Sequence, residues 1–188
     1  MAKKLNDTAM VTGKVRFSYA SVFKPRAFAA GDPEKYSVTL LIPKDDVETI
    51  TMIKSCIQAA IDEGRGKLML KAGQKPPATF KIPLRDGDEE KPDNAEYENC
   101  MFINTSSGRA PGVVKKENGK AVSIAEEEFY SGCYGAASIN FYAFNVKSKG
   151  IACGLNNIMK TEDGDRLSGG GSSAADDFGL EEEGDEFM

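Results

Sequence analysis

Six aromatic side chains fall in the run Glu128-Phe-Tyr-Ser-Gly-Cys-Tyr-Gly-Ala-Ala-Ser-Ile-Asn-Phe-Tyr-Ala-Phe-Asn-Val-Lys-Ser-Lys-Gly150, and their spacing suits stacking rather than acid–base chemistry. In an extended strand, neighbouring side chains point to opposite faces. Ile139, Phe141 and Ala143 therefore share one side, and Tyr142, Phe144 and Val146 share the other. Only one of these faces can line an interior. The second needs cover from a helix, a second subunit, or a ligand that stacks on rings. A single-stranded nucleic acid is such a ligand, because every base has a π-face and each stacked base is worth roughly 1–3 kcal/mol. Its phosphates require cations. Lys147 and Lys149 close the aromatic hairpin, while Lys14, Arg16, Lys24, Arg26, Arg109, Lys115 and Lys116 occupy other strands or loops that could flank the same groove. Among the rings, Tyr19, Tyr130, Tyr134 and Tyr142 are better candidates than Phe17 or Phe141, since a phenol tolerates a wet edge. Phe144 shares the outward face with Tyr142. Taken singly, each ring has a core reading and each base a solvated-surface reading, so the argument rests on their concentration.

Other chemistries find less support. The chain has no histidine, which removes the commonest general base near neutral pH and the usual partner of a Ser or Cys nucleophile. Cys56, Cys100, Cys133 and Cys153 form no short-spaced pair, so no zinc site is expected, and they read as reduced, partly buried small hydrophobes. Arg85-Asp-Gly-Asp-Glu-Glu90 invites a divalent-metal reading. It lacks the alternation of an EF-hand loop, and a two-metal nuclease draws its ligands from several strands, so a solvated turn is expected there. No phosphate-binding glycine loop or nucleophile elbow is present. No cofactor or metal is expected.

The elements that must position these residues are mostly strands. Met10–Tyr19 alternates apolar and polar residues, and a second strand runs from Lys35 to Ile42 before Pro43. Between them, Phe23–Phe28 and Gly31-Asp-Pro33 read as a connection. Asp45 or Asp46 can cap one helix, with Val47, Ile50, Ile53, Ile57, Ala60 and Ile61 on one face, Glu48 completing a capping box on Asp45, and Gly64 closing it. Residues 65–98 are rich in Lys, Pro, Gly and acids, which predicts an irregular excursion with a short strand near Phe80–Leu84; so long a loop is either functional or mobile. Strand character returns at Cys100–Thr105, Gly112–Lys116 and Ala121–Ile124, the last pair joined by Asn118-Gly119. Two longer strands, Tyr134–Val146 and Gly150–Met159, follow. Many strands, one main helix and short hairpins predict a mostly β fold: an OB-like antiparallel barrel. The helix falls after the second strand rather than the third, so the topology is less constrained than the class.

The net charge of −5 hides a division of sign. Asp176, Asp177, Glu181, Glu182, Glu183, Asp185 and Glu186 are followed or interrupted by no base, leaving 22 acids against 24 bases before them. A body of charge +2 thus precedes a tail of −7. Residues 1–167 are expected to form the binding domain, and 168–188 a flexible Gly/Ser linker and acidic tail. Phe178 and Phe187 sit among the acids, a pattern that fits either a solubility tail or docking in a basic, apolar pocket, and one that can compete with DNA for the protein's own groove. The polar N-terminus and the lack of a membrane-length apolar run predict a soluble protein of the cytoplasm with no membrane partner.

Several longer segments resemble a known family. Val15–Tyr19, Tyr36-Ser-Val-Thr-Leu-Leu-Ile-Pro-Lys44, Pro83–Glu90, Pro111–Val114 and Phe129-Tyr-Ser-Gly-Cys-Tyr-Gly135 through Gly150-Ile-Ala-Cys-Gly-Leu-Asn-Asn157 are similar, in order, to the phage and prophage single-stranded DNA-binding proteins once catalogued as a domain of unknown function. The resemblance implies an OB-fold body that binds single strands without marked sequence preference, self-association, for which a dimer is expected, and a place in phage replication or recombination within the bacterial host. It also implies a tail that recruits replication proteins or regulates access to DNA. Two rivals stand beside it: a nuclease using the Asp86–Glu90 acids with Mg²⁺, and a protein-docking module whose second aromatic face is an interface.

Overall fold

A computed structural model describes residues 1–167. In chain order the elements are β1 (Lys3–Lys4), β2 (Ala9–Val11), β3 (Val15–Arg26), β4 (Lys35–Pro43), α1 (Val47–Glu63), α2 (Arg65–Leu68), β5 (Arg85–Asp86), α3 (Gly87–Glu90), β6 (Cys100–Ser107), β7 (Gly112–Glu117), β8 (Lys120–Ser123), β9 (Tyr134–Val146) and β10 (Ser148–Glu162). The sheet path runs β1-β2-β9-β3-β4-β6-β10-β7-β8, and β9 also pairs with β10. Strands β9, β3, β4, β6 and β10 therefore close a ring, the OB-like arrangement expected, with α1 entering after β4. Most pairings are antiparallel, but β10 runs parallel to β6 and β7.

Alternation along the ring strands fills its interior. Val15 and Phe17 on β3, Val38, Leu40 and Ile42 on β4, Ile103 on β6, Ile139 and Phe141 on β9, and Ile151 and Leu155 on β10 are buried together. Helix α1 adds Ile53, Cys56, Ile57, Ala60 and Ile61 to this core, while Val47 is left exposed at the helix start. At its other end Gly64 meets Ala143 so closely that a Cβ would lie 2.3 Å from that side chain, so the helix can approach β9 only with glycine there.

The helix cap falls on Asp46, not on an Asp45–Glu48 box. Asp46 Oδ1 accepts from the Thr49 amide at 3.1 Å, and Thr49 Oγ1 donates to Asp46 Oδ2 at 2.6 Å. The same hydroxyl accepts from the Gly13 amide at 3.0 Å. This contact ties the helix start to the break between β2 and β3, which is why the strand expected over residues 10–19 is interrupted.

Two other expectations are corrected. Lys24-Pro25-Arg26, read as connection, is the end of β3, where Arg26 pairs with Lys35; proline is tolerated because the register has already slipped there. The strand expected near residues 80–84 is only a bridge between Lys81 and Gly150. The excursion instead folds onto β6, with Asp86 accepting from the Asp88 and Glu89 amides to start α3. The four cysteines are free; Cys56, Cys133 and Cys153 are buried and Cys100 half-buried. The Gly/Ser run and the acidic residues Asp176 to Glu186 with Phe178 and Phe187 lie outside the described residues.

Candidate nucleic-acid interface

A cleft of about 880 Å³ opens over β3, β4 and β6. It is shaped by an irregularity in β3: Ser18 pairs with Thr39 but Ser21 with Ser37, so β3 carries one residue more than β4 across that interval. A bulge of this kind re-aims a side chain. Tyr19 sits in it at φ 47°, a left-handed conformation costly for a tyrosine, and its ring is 57% exposed at the cleft wall. The amide of Ala20, freed from the ladder, donates to Ser131 Oγ at 3.1 Å.

Rings and cations alternate around this opening. Phe28, 74% exposed, stands on the β3–β4 connection. Phe23 is half-buried and packs edge-on to buried Phe129, whose ring lies 5.1 Å from Phe17 in the core. Lys24, Arg26, Arg85, Lys91 and Arg166 line the same space, with Glu126 as a counter-charge. Lys24 pairs with Glu126 at 3.5 Å and Arg85 with Glu90. Among the described residues Arg26, Lys91 and Arg166 have no carboxylate partner. The floor is polar where Thr39 Oγ1 donates to Asn104 Oδ1 at 2.8 Å. It is apolar where Tyr97 meets Phe102 edge-on at 5.0 Å. Burial pushes the Tyr97 phenol up to about 12.

The segment after β10 folds back along one wall. Gly164 N donates to Tyr130 Oη at 3.2 Å, Leu167 N to the Ser131 carbonyl at 2.9 Å, and Arg166 lies 4.4 Å from the Tyr130 ring centre. Gly132 makes this possible: at φ 121° it faces the Asp165 carbonyl, which a Cβ would meet at 2.0 Å.

Four of the sequence candidates, Tyr19, Lys24, Arg26 and Tyr130, thus share the cleft. The others form three further groups. Lys14 and Arg16 flank the Tyr134 ring at 5.5 and 5.4 Å, and Arg16 is held by the carbonyls of Gly132 and Asp165. Lys115 lies between Glu117 and Glu128, at 3.2 and 3.1 Å, beside exposed Lys116, while Arg109 stands on the β6–β7 connection. Tyr142, Phe144, Lys147 and Lys149 gather at the tip of the β9–β10 hairpin, where Lys147 alone, at φ 59°, makes the turn. Phe141 is core, as expected, and Tyr142 is 43% exposed.

Phe23, Phe28, Arg85, Lys91 and Arg166 were not singled out by sequence. The signals available were the aromatic β3–β4 connection and the length of the excursion, neither of which points to a particular residue. Two carboxylates of that excursion, Asp86 and Asp88, are engaged by one lysine. Lys44 Nζ sits 2.8 Å from Asp86 and 2.6 Å from Asp88. These contacts hold both carboxyls below the usual range and the ammonium above its own.

An OB-like ring with rings and free cations around one open cleft defines a protein of the single-strand-binding class. The profile of the family described as the Enterobacter phage Enc34 ssDNA-binding protein matches residues 8–188, and the chain belongs to that family. The structure of the Enc34 single-stranded DNA-binding protein in complex with ssDNA superposes with a TM-score of 0.70 at 26% identity, covering 88% of this chain and 96% of that one. The gp2.5 single-stranded DNA-binding protein of bacteriophage T7 shares the fold, with a TM-score of 0.59 at 14% identity over 88% of this chain and 97% of that one. A curated relative, putative protein p50 of Acyrthosiphon pisum secondary endosymbiont phage 1, is 28% identical over 169 residues, 87% of this chain and 89% of its own length. Among the described residues no helix is long and apolar enough to cross a membrane.

Proposed function

We propose that the protein binds single-stranded DNA, with little sequence preference, in the cleft over β3, β4 and β6, during phage replication or recombination in the host cytoplasm. The observation that carries this reading is the joint exposure of Tyr19 and Phe28 beside Arg26, Lys91 and Arg166, rings and cations without a competing partner. Bases stack on Tyr19 and Phe28, whose faces accept any base; the guanidinium and ammonium groups neutralise phosphates as the strand passes. Lys14, Arg16 and Tyr134 extend the cationic and aromatic surface beyond the wall built by Tyr130. The role is passive and needs no catalytic group, in keeping with a cleft whose one lining carboxylate among the described residues, Glu126, is paired with Lys24. Self-association as a dimer belongs to the same reading, since β1 and β8 end the sheet with unpaired edges.

Fluorescence anisotropy with a labelled oligonucleotide tests it. The unpaired strand is expected to bind with a log–log salt slope of about −0.7 per phosphate contact, and a duplex of the same sequence far more weakly. Equal affinity for both, or affinity indifferent to salt, would sink the proposal. Divalent-dependent cleavage of the strand would favour the nuclease instead.

A further inference from the structure

A second depression, of about 480 Å³, lies at the opposite end of β9 between that strand and α2. Gly66, Lys67 and Met69 form one wall, and Tyr142 to Val146 the other. Met69 is 72% exposed and Val146 74%, a large aliphatic surface to leave in water. Beyond Phe141, the only strand paired with β9 among the described residues is β10. The other edge is crossed by one side-chain hydrogen bond among the described residues, Asn145 Nδ2 donating to the Lys67 carbonyl at 3.0 Å.

Charge around this groove is one-sided. From Arg65 to Leu84 the chain has five bases and no acid. Lys67 lines the groove, Lys147 makes the adjoining turn, and Lys149 Nζ lies 3.4 Å from Met69 Sδ. None of these three lysines has a carboxylate partner among the described residues, whereas Lys14, Lys24, Lys44, Lys115 and Lys160 each do.

We propose that this groove is the docking site of the chain's own C-terminal segment, Asp176-Asp-Phe-Gly-Leu-Glu-Glu-Glu-Gly-Asp-Glu-Phe-Met188. Its seven acids match the unpaired lysines, and its Phe and Met side chains match the Met69–Val146 surface. Reach selects which part docks. Leu167 lies at the large cleft, and the groove stands at the far end of a strand of 13 residues, roughly 43 Å long at 3.3 Å per residue. Phe178, eleven residues past Leu167, reaches at most about 40 Å even fully extended, while Phe187, twenty past it, reaches up to about 72 Å. The Phe187-Met188 end therefore occupies the groove in the same molecule. A nucleic-acid strand shares the negative charge but fits less well, because of the two rings lining the groove only Tyr142 is exposed, Phe144 being half-buried.

Photo-crosslinking in the full-length protein tests this, with a benzophenone amino acid replacing Val146. Irradiation is expected to give a product at monomer mass that joins residue 146 to the peptide containing Phe187. The yield should fall at least five-fold in Lys67→Glu/Lys147→Glu, and likewise in Phe187→Ala, which leaves the body untouched. A product seen only at dimer mass would place a second copy's tail in the groove and overturn the intramolecular docking. Overturning results also include no tail product, a yield indifferent to these substitutions, or a crosslink to added oligonucleotide in place of the tail.

Discussion

At its Tyr134 end, β9 is surrounded by cations that already have partners. Lys14 is held by Glu162, Arg16 by the Gly132 and Asp165 carbonyls, and Lys160 by Asp163, all beside the rings of Tyr134 and Tyr130. At its Val146 end, Lys67, Lys147 and Lys149 are unpartnered and the exposed apolar surface is largely aliphatic. The first arrangement is preorganised: rings and charges are fixed before a ligand arrives, so little ordering cost falls on binding. The second leaves its charges free to follow whatever anion approaches. On the two proposals made above, one strand serves a planar, repeating ligand near one end and an irregular acidic chain at the other. The distinction rests on which rings are exposed, since the large cleft, like the second groove, keeps cations (Arg26, Lys91 and Arg166) without a carboxylate partner among the described residues.

The sharpest way to break this comparison is to ask whether the outward face of β9 is surface at all. Phe141→Ala removes a core ring and is expected to cost about 3–5 kcal/mol of folding stability. Tyr142→Ala, one residue on, should change stability by less than about 1 kcal/mol, because its side chain is already half in water. Urea unfolding of the two variants measures the difference. Equal losses would make Tyr142 a packing residue and remove one wall of the second groove.

Next in size is the effect of rings on binding. Tyr19→Ala and Phe28→Ala are each expected to weaken oligonucleotide binding by roughly 1–3 kcal/mol, or about 5- to 150-fold in Kd. Val146→Ser, on the other groove, should change it less than about two-fold, the surface-substitution range. Anisotropy titrations at one salt concentration decide the matter, and a larger loss at Val146 than at Tyr19 would exchange the roles assigned to the two sites.

The contrast also explains how much could be read in advance. Strands β9 and β10, the helix with its stripe, and the core position of Phe141 were legible because half-buried strands and amphipathic helices write their period into the sequence. The extension of β3 through Pro25 was not, since proline reads as a breaker and the slipped register that accommodates it is a tertiary fact. Arg85 and Arg166 reach the cleft by non-local routes: one lies 5.1 Å from the Phe102 ring, the other on a segment folded back past Gly132. No local pattern encodes either. Tyr19 was singled out for its chemistry, but the bulge that turns it outward depends on where β4 pairs. Lysines 147 and 149 were correctly placed beside exposed rings, yet their distance from the large cleft follows only from the length of β9.

Smaller again is the charge effect at the cleft. Arg26→Gln and Lys91→Gln each remove a cation that has no carboxylate partner. If each meets one phosphate, the salt slope should become shallower by about 0.7 per substitution. Lys147→Gln at the second groove should leave the slope unchanged. A shift at Lys147 equal to that at Arg26 would mean that the strand runs along both sites.

The smallest effect separates the sites by pH. Asp86 and Asp88 are held below the usual carboxylate range chiefly by hydrogen bonds from Lys44, and backbone amides add to this. A depressed carboxyl contributes stability above its unfolded value, about 3.9, and loses it as pH falls through the folded one. Lys44, raised by the same contacts, contributes below about 10.4 and loses that contribution only as pH rises through its folded value, so nothing changes between pH 5 and 8. Acidification below about 4 should therefore loosen the β5–α3 turn on β6, and with it the cleft wall carrying Arg85 and Lys91. The Asn99 amide, which donates to Asp88 Oδ1 at 3.0 Å, reports this directly. Its hydrogen-exchange protection, corrected for intrinsic rate, should drop from pH 5 to pH 3, and Lys44→Met should weaken that dependence. The Asn145 side-chain contact to Lys67 contains no titrating group, so in a chain ending at Leu167, which lacks the tail's acids, its amide signals should not move over the same range. If they do, the two ends of the strand are coupled, and the independence on which their separate roles depend is lost.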